Sequence, residues 1–251
     1  MSKIKIKVAF LGHPLFSIDT KRVRKWKSEY WELVPSFNTH PISSDSDGND
    51  WSYSKDNIKE IAPPCDDADV LILITSVCIE DRYIAKVFDK NKVCLTFFKL
   101  TKDLDYNNIP HENLLLKQIY SVVIRYMFTD KNLQPNLDSE YFLSHDETRQ
   151  CLFDMCGNRG DVVHSLHKPH ICSACSEKLT NRGSRIGKNV IDSINEELKN
   201  IKKRRFYIMA DWIKLHPILT ICLSSLLALF LGMLGSLFAS FIWKFLFRFD
   251  C

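Results

Sequence analysis

The stretch Val-Leu-Ile-Leu-Ile-Thr, from Val70 to Thr75, decides the predicted fold. It is an unbroken apolar run of strand length, which is typical of a strand buried on both faces of a parallel sheet. Lys5 to Leu11 alternates and then becomes continuously apolar, and Val93 to Phe97 is rich in strand formers, so both predict neighbouring strands. Glu80 to Phe88 has a helical pattern between two of these strands. The order predicts a βαβ unit and an α/β fold.

Three further segments have the apolar spacing of helices. His111 to Phe128 follows Pro110, which is acceptable just before a helix, and its apolar side chains predict a core helix. Thr20 to Leu33 is basic and aromatic and is interpreted as a helix. From residue 184 to 216 the spacing predicts a charged stalk helix with a narrow apolar stripe that could pair with copies of itself, comprising Ile186, Val190, Ile194, Leu198 and Ile201.

A long uncharged segment runs from Pro217 to Trp243, over 27 positions. A helix needs about 20 apolar residues to cross a bilayer, so we expect one tilted crossing and a lipid bilayer as partner. The alternative, a buried core helix, is disfavoured because soluble core helices are shorter and carry a polar face. Basic residues are denser before this segment than after it, which predicts a single-pass membrane protein with its N-terminal domain in the cytoplasm.

Small residues recur at every fourth position of this apolar segment. Such a stripe lets two helix backbones approach closely in a membrane, where the hydrophobic effect cannot drive association. We therefore expect a homo-oligomer assembled through Ser224, Ala228, Gly232, Ser236 and Ser240.

Composition excludes some classes of function. A formal charge of +4 over 251 residues is too small to indicate nucleic-acid binding, so no nucleic-acid partner is expected. The chain starts Met-Ser-Lys-Ile-Lys, without the apolar segment of a secretory signal, so its nine cysteines are expected in a reducing cytosol. There, closely spaced cysteines indicate metal or redox chemistry more often than disulfides. Isolated Cys65, Cys78 and Cys94 are expected to act as small buried apolar residues.

Cys172-Ser-Ala-Cys175 is the strongest chemical motif in the sequence, because its two thiolates can occupy adjacent corners of a zinc tetrahedron. Cys151 and Cys156 lie upstream, and the four cysteines together form an acceptable four-thiolate site. Histidines offer further candidate ligands, namely His145, His164, His167 and His170. The residues alone leave the choice between these sets open.

The pattern His145-x5-Cys151-Leu-Phe-x18-Cys172-x2-Cys175-x2-Lys-Leu resembles the C-terminal metal-binding segment of the archaemetzincins, over about 35 residues. The resemblance implies that Cys151, Cys172 and Cys175 hold a structural Zn²⁺. It also implies that His145 stands in place of the family's first Cys, that Cys156 is only a neighbour, and that the preceding region is a metzincin-like mixed sheet with helices.

The chain departs from that family at the catalytic motif. Metzincins use His-Glu-x-x-His and a third His to hold a zinc with an open position, and the Glu activates the bound water. Residues 134–144 contain no histidine, and the one His-Glu pair, His111-Glu112, is followed four positions after the His by Leu115. We therefore expect a relative without catalysis. The alternative is a zinc metallopeptidase whose non-standard site combines His111 and Glu112 with histidines of the 164–170 segment.

These features predict five parts: a cytosolic α/β domain at 1–144, a zinc-binding segment at 145–183, the stalk at 184–216, a transmembrane helix at 217–243 and a short tail at 244–251. The layout predicts a membrane-anchored, zinc-binding sensor or effector module. Its partner would be a cytosolic protein or a small-molecule ligand, and prokaryotic stress or antiphage defence would be its setting.

Overall fold

A computed structural model describes residues 2–135, 143–181 and 186–246 of the chain. The chain divides into two compact units, Met1–Lys203 and Arg204–Cys251. Within the described residues of the first unit, six strands form one mixed sheet and helices pack on it, so the predicted α/β class is confirmed.

The sheet is parallel except at one edge. In order across the sheet, its path runs through β2 (Trp31–Leu33), β1 (Ile4–Leu11), β5 (Val70–Thr75), β8 (Lys92–Thr96) and β7 (Ala85–Asp89), and β3 (Asn38–His40) also pairs with β1. Only β7 runs antiparallel to its neighbour among these pairs. All six residues of β5 are buried, as its apolar run predicts. A separate parallel pair joins β4 (Ser52–Tyr53) to β6 (Cys78–Ile79).

The helix predicted from Glu80 to Phe88 is wrong. A single 3-10 turn spans Glu80–Arg82, and the chain then enters β7, where Ala85 pairs with Leu95 of β8. The two parallel strands β5 and β8 are therefore linked through an antiparallel edge strand rather than a helix. The predicted helix from Thr20 to Leu33 is also too long, because only α1 (Thr20–Arg24) is helical and Trp31–Leu33 pairs with β1.

The other helices of the first unit follow in chain order: α2 (Lys55–Ile61), α3 (Thr101–Tyr106), α4 (His111–Phe128), α5 (Arg159–His164), α6 (Ser173–Asn181) and α7 (Lys188–Leu198). The predicted core helix is confirmed as α4, which begins directly after Pro110. Apolar side chains of α4 and α7 share one core cluster with Ile6, Val8 and Ile72 of the sheet. Ile58 of α2 packs with Leu71 and Leu73 on the opposite face. The sheet is thus covered on both sides.

The continuous stalk helix predicted for 184–216 is wrong. The structure has two helices there, α7 and α8 (Arg205–Leu215), separated by non-helical backbone at 201–204. Ile191, Ile194 and Leu198 of α7 are buried in the core of the first unit. The apolar stripe therefore packs on its own domain. The remaining domain boundaries stay predictions.

In the second unit, α8 is followed by α9 (Pro217–Leu246). Its segment Pro217–Trp243 has a mean hydropathy of 2.3 and is not buried against any described part of the chain. By length and composition this helix can cross a membrane.

Candidate metal centre

Four side chains converge at the C-terminal end of the first unit: His145, Cys151, Cys172 and Cys175. Their ligand atoms all lie within 4.8 Å of one another, and the three cysteines are buried. Around a tetrahedral zinc with Zn–S bonds of about 2.3 Å, ligand atoms are separated by about 3.8 Å. The His145 Nε2 to Cys172 Sγ distance is 3.7 Å. The donor set and its spacing fit Zn²⁺.

Backbone hydrogen bonds bring these distant residues together. The Met155 N–H donates to the His145 carbonyl at 3.1 Å, which places the histidine beside the 151–155 turn. The Leu152 N–H donates to the His170 carbonyl at 2.8 Å, and the His170 N–H donates to the Gln150 carbonyl at 3.0 Å. These two hydrogen bonds place the turn that contains Cys151 beside the segment that leads into α6. The ligands are therefore positioned by main chain rather than by one rigid element.

The Cys172 and Cys175 thiols lie at the N-terminal end of α6. Cys172 directly precedes the helix, and the Cys175 N–H donates to the Cys172 Sγ at 3.5 Å. The Cys172 N–H donates to the Cys151 Sγ, also at 3.5 Å. Backbone N–H groups thus point at the sulfur atoms of Cys172 and Cys151, and both residues of the Cys-x-x-Cys pair lie where the helix dipole is favourable for negative charge. This local geometry prepares the sulfur atoms to bind a cation.

The thiols of Cys151 and Cys175 shift each other's pKa in opposite directions. The hydrogen bond from the Cys175 thiol, aided by backbone donors, lowers the pKa of Cys151 to about 4. The same interaction raises the pKa of Cys175, whose thiol also lies 3.3 Å from the Leu143 carbonyl that it can donate to. Zinc binds thiolates, so metal loading would release the Cys175 proton.

The tautomer of His145 follows from its neighbours. Its Nδ1 lies 2.9 Å from the Glu147 carbonyl oxygen, which can only accept, so we assign the proton to Nδ1. Nε2 is then left with a lone pair on the side of Cys172, as a metal ligand requires. An Asp154 carboxylate oxygen lies 3.4 Å from the same Nδ1, and its other oxygen accepts the Cys151 N–H at 2.9 Å. Burial raises the pKa of Asp154.

Asp154 is a supporting residue that the sequence analysis missed. It links a histidine and a cysteine of the cluster, a role typical of residues just outside a metal site. The only signal in the sequence is its position three residues after Cys151.

The other predicted ligands lie outside the cluster. The Cys156 Sγ lies 3.6 Å from the Ser165 Oγ and 3.9 Å from the Lys117 Nζ. His167 accepts a hydrogen bond from the Lys203 N–H at 3.4 Å through Nδ1. Among the described residues, His145 rather than Cys156 completes the four-ligand group.

The His111-Glu112 pair has structural contacts of its own. The buried Glu112 carboxylate pairs with the half-buried Arg22 at 2.8 Å, and the His111 Nδ1 lies 2.9 Å from the Ser17 carbonyl oxygen. Within residues 2–135, 143–181 and 186–246, neither side chain belongs to a metal-binding group. The pair lies in the first turn of α4, where it joins the helix to the N-terminal segment.

The isolated cysteines differ in burial. Cys78 and Cys94 are buried and Cys65 is half-buried. Burial raises the pKa of Cys94 to about 12, so this thiol stays protonated at neutral pH.

We expect His145→Ala to weaken zinc binding by at least roughly 100-fold, because even residues outside the first ligand set contribute 10- to 100-fold. Cys156→Ser is the matched control and should leave zinc affinity unchanged. Competition with a chromogenic chelator measures both values. The reverse order of the two variants would select the four-thiolate set instead.

A scan against protein-family models found no match, and a search of curated proteins found none. Among solved structures, the chain is similar to the archaemetzincin of Methanopyrus kandleri, with 11% identity and a TM-score of 0.43, covering 71% of this chain and 94% of that one. The archaemetzincin of Archaeoglobus fulgidus gives 13% identity and a TM-score of 0.40, covering 70% of this chain and 99% of that one. At these values the likeness concerns only the arrangement of helices and strands.

Proposed function

We propose that this chain is a membrane-anchored sensor or effector module. Its cytoplasmic domain is stabilised by one structural Zn²⁺ and recognises a ligand, and self-association of its transmembrane helix is the output. The observation that carries this proposal is the four-ligand set. Three thiolates and one imidazole fill a zinc tetrahedron, whereas a catalytic zinc keeps a position open for water.

The composition of α9 supports the anchor. Three of its hydroxyl groups bond to nearby carbonyls: the Oγ atoms of Ser224 and Ser225 donate to the Ile221 carbonyl at 2.9 Å, and the Thr220 Oγ1 donates to the carbonyl of His216, just before the helix, at 2.9 Å. Polar groups satisfied in this way are compatible with hydrocarbon. The basic run before the helix, Lys199, Lys202, Lys203, Arg204 and Arg205, supports a cytoplasmic location for the first unit.

The stripe from Ser224 to Ser240 is our proposed assembly surface. Apart from the nearby backbone of the helix itself, no described atom lies within 4 Å of the position that a Cβ at Gly232 or Gly235 would occupy. A Cβ at either glycine therefore meets no obstacle in the described part of the chain. Gly232 is thus a suitable position at which to test a close contact with a second helix.

We expect Gly232→Leu to shift the monomer–oligomer equilibrium toward monomer by about fivefold, since helix contacts in membranes contribute roughly 1 kcal/mol. Crosslinking in bilayers at matched protein density measures this shift. Leu234→Ala is the control, because Leu234 lies on the opposite face of the helix from Gly232, and it should crosslink like the wild type. Unchanged crosslinking of Gly232→Leu would exclude the stripe as the assembly surface.

The setting in stress or antiphage defence is part of the proposal and rests on layout: a small cytoplasmic domain joined to one membrane segment. Expression in a bacterial host with and without phage challenge tests it. A growth or survival phenotype that requires Gly232 would support the link between assembly and output.

A further inference from the structure

A cavity of about 340 Å³ lies beside the metal centre, between α4, the edge strand β7 and the turn that follows Cys151. This volume is within the range of small-molecule sites. Residues Leu152 to Cys156 form one wall, so the turn that carries a metal ligand also shapes the cavity. The opposite wall belongs to α4, which is otherwise a buried core helix.

The face of α4 toward this cavity is polar. Lys117, Gln118, Ser121 and Arg125 all line it. Their spacing of one, four and eight residues places them on one side of the helix. Lys117 is 7% exposed and Ser121 is 2% exposed, so neither serves as an ordinary surface residue. Buried polar groups destabilise a fold unless they are compensated, and a core helix needs none of them for packing.

The ammonium group of Lys117 has neutral neighbours. Its Nζ donates to the Ser165 Oγ at 2.7 Å and lies 3.9 Å from the Cys156 Sγ. Among the ion pairs of the described residues, none brings a carboxylate within 4.0 Å of this Nζ. Its direct partners are neutral, and the Asp154 carboxylate interacts with its charge from beyond ion-pair distance, so an anion bound at this Nζ would be a closer counter-ion.

The acidic groups around the cavity interact elsewhere. Asp81 pairs with Lys86, whose Nζ also binds Glu80 at 2.6 Å. Asp154 accepts backbone N–H groups of Arg149 and Cys151 and faces His145. Three basic residues and two acidic ones line the cavity, namely Lys86, Lys117 and Arg125 against Asp81 and Asp154. Because Lys86 is already paired with Asp81 and Glu80, Lys117 and Arg125 are opposed among the other lining residues by Asp154, so the wall formed by α4 and the 152–156 turn has an excess of positive charge.

Apolar groups complete the lining. Leu114, Leu152 and Val162 lie around the polar stripe, and the Arg125 guanidinium lies over the Phe153 ring at 5.6 Å from its centroid. We infer that the cavity binds a small organic anion, with a carboxylate or phosphate group at Lys117 and an apolar body against Leu152 and Phe153. This inference rests on the proposed function, because it names the class of ligand that the module would sense.

The test uses the full-length, zinc-loaded chain in lipid nanodiscs and three small probes: butyrate, butyramide and butyl phosphate. Butyrate and butyramide have the same size and differ in charge. Saturation-transfer NMR titrations give their affinities. We expect butyrate or butyl phosphate to bind at least about tenfold more tightly than butyramide, since hydrogen bonds to charged groups are the stronger class. The tighter of the two anions assigns the group as carboxylate or phosphate.

Lys117→Met keeps the length of the side chain and removes its charge, and should abolish the preference for anions. Lys59→Met is the matched control, because Lys59 is an exposed lysine that pairs with Asp89 and does not line this cavity. Ser121→Leu adds side-chain volume at the cavity wall and should weaken all three probes while Lys117 remains. If Lys117→Met misfolds, the Ser121→Leu variant and the affinities of the three probes for the wild type still test the inference.

Equal binding of butyramide and both anions by the wild type would overturn the inference. So would an anion preference that survives Lys117→Met in folded protein. None of these titrations measures crosslinking, so a failed anion site leaves the assembly proposal intact. Conversely, if the wild type binds the anion but Gly232→Leu crosslinks like the wild type, the anion site stands and self-association through the stripe is excluded as the output.

Discussion

Cys175→Ser is expected to unfold or aggregate the first unit, Met1–Lys203. The binding free energy of a structural zinc is folding free energy, about 10 kcal/mol or more in small zinc modules. Here Cys175 is fully buried and contributes to the cluster that joins the 143–155 segment to α6. A domain is stable by only about 5–15 kcal/mol, so losing most of this contribution removes its stability.

The readouts are zinc content by elemental analysis and thermal unfolding with and without a chelator. We expect one zinc per wild-type chain and strong destabilisation by the chelator. Cys94→Ser is the matched control, because this buried cysteine lies on β8, outside the cluster. It should lower stability modestly while keeping one zinc. A Cys175→Ser protein that unfolds at the wild-type temperature would show that the cluster is not a structural metal site.

Ile194→Ala is expected to destabilise the first unit by about 2–5 kcal/mol, the usual effect of truncating a buried isoleucine. Ile194 is fully buried in the core that α7 shares with the sheet. A free stalk helix would lose almost nothing by the same change. Urea unfolding of the domain therefore distinguishes the two arrangements.

Glu196→Ala serves as the control within the same helix. Its side chain is 70% exposed and, among the described ion pairs, pairs only with Lys199, whose side chain is 64% exposed. Exposed pairs of this kind contribute roughly 0–1 kcal/mol, so the midpoint should barely move. Equal midpoints for the Ile194 and Glu196 variants would contradict the packed position of α7.

Several parts of the fold follow from local sequence. The bounds of α4 are predictable because Pro110 precedes a long helical pattern, and β5 because its apolar run is too short for a helix. The edge strand β7 is not predictable in this way, because its hydrogen bonds to β8, rather than its own residues, make it a strand. The apolar stripe of α7 is visible in the sequence, but periodicity does not say which surface covers it.

The candidate site shows the same division. Cys172 and Cys175 are predictable as a pair because a single helix start positions both. The resemblance places His145 among the ligands, whereas spacing alone does not distinguish it from Cys156. Backbone pairing within residues 143–155 places His145 among the ligands. This contact has no recognisable pattern in the sequence. The role of the polar stripe of α4 is equally hard to predict. Four polar residues on one face of a helix usually indicate a solvent-exposed face, and only the packing of the other faces shows that this one lines a cavity.

The packing of α7 has a consequence for the order of events during synthesis. This helix is tied to early parts of the chain, since Tyr120 donates to Glu197 and the Glu29 N–H donates to the same carboxylate at 2.8 Å. The domain can therefore complete its core only once Ile201 has left the ribosome. Translation proceeds at about 5–20 residues per second, so the 45 residues from there to Leu246 take roughly two to nine seconds. The domain therefore completes its core late in synthesis, close to the time at which the apolar helix Pro217–Leu246 is made, so folding, zinc loading and the emergence of that helix occur on the same scale of seconds.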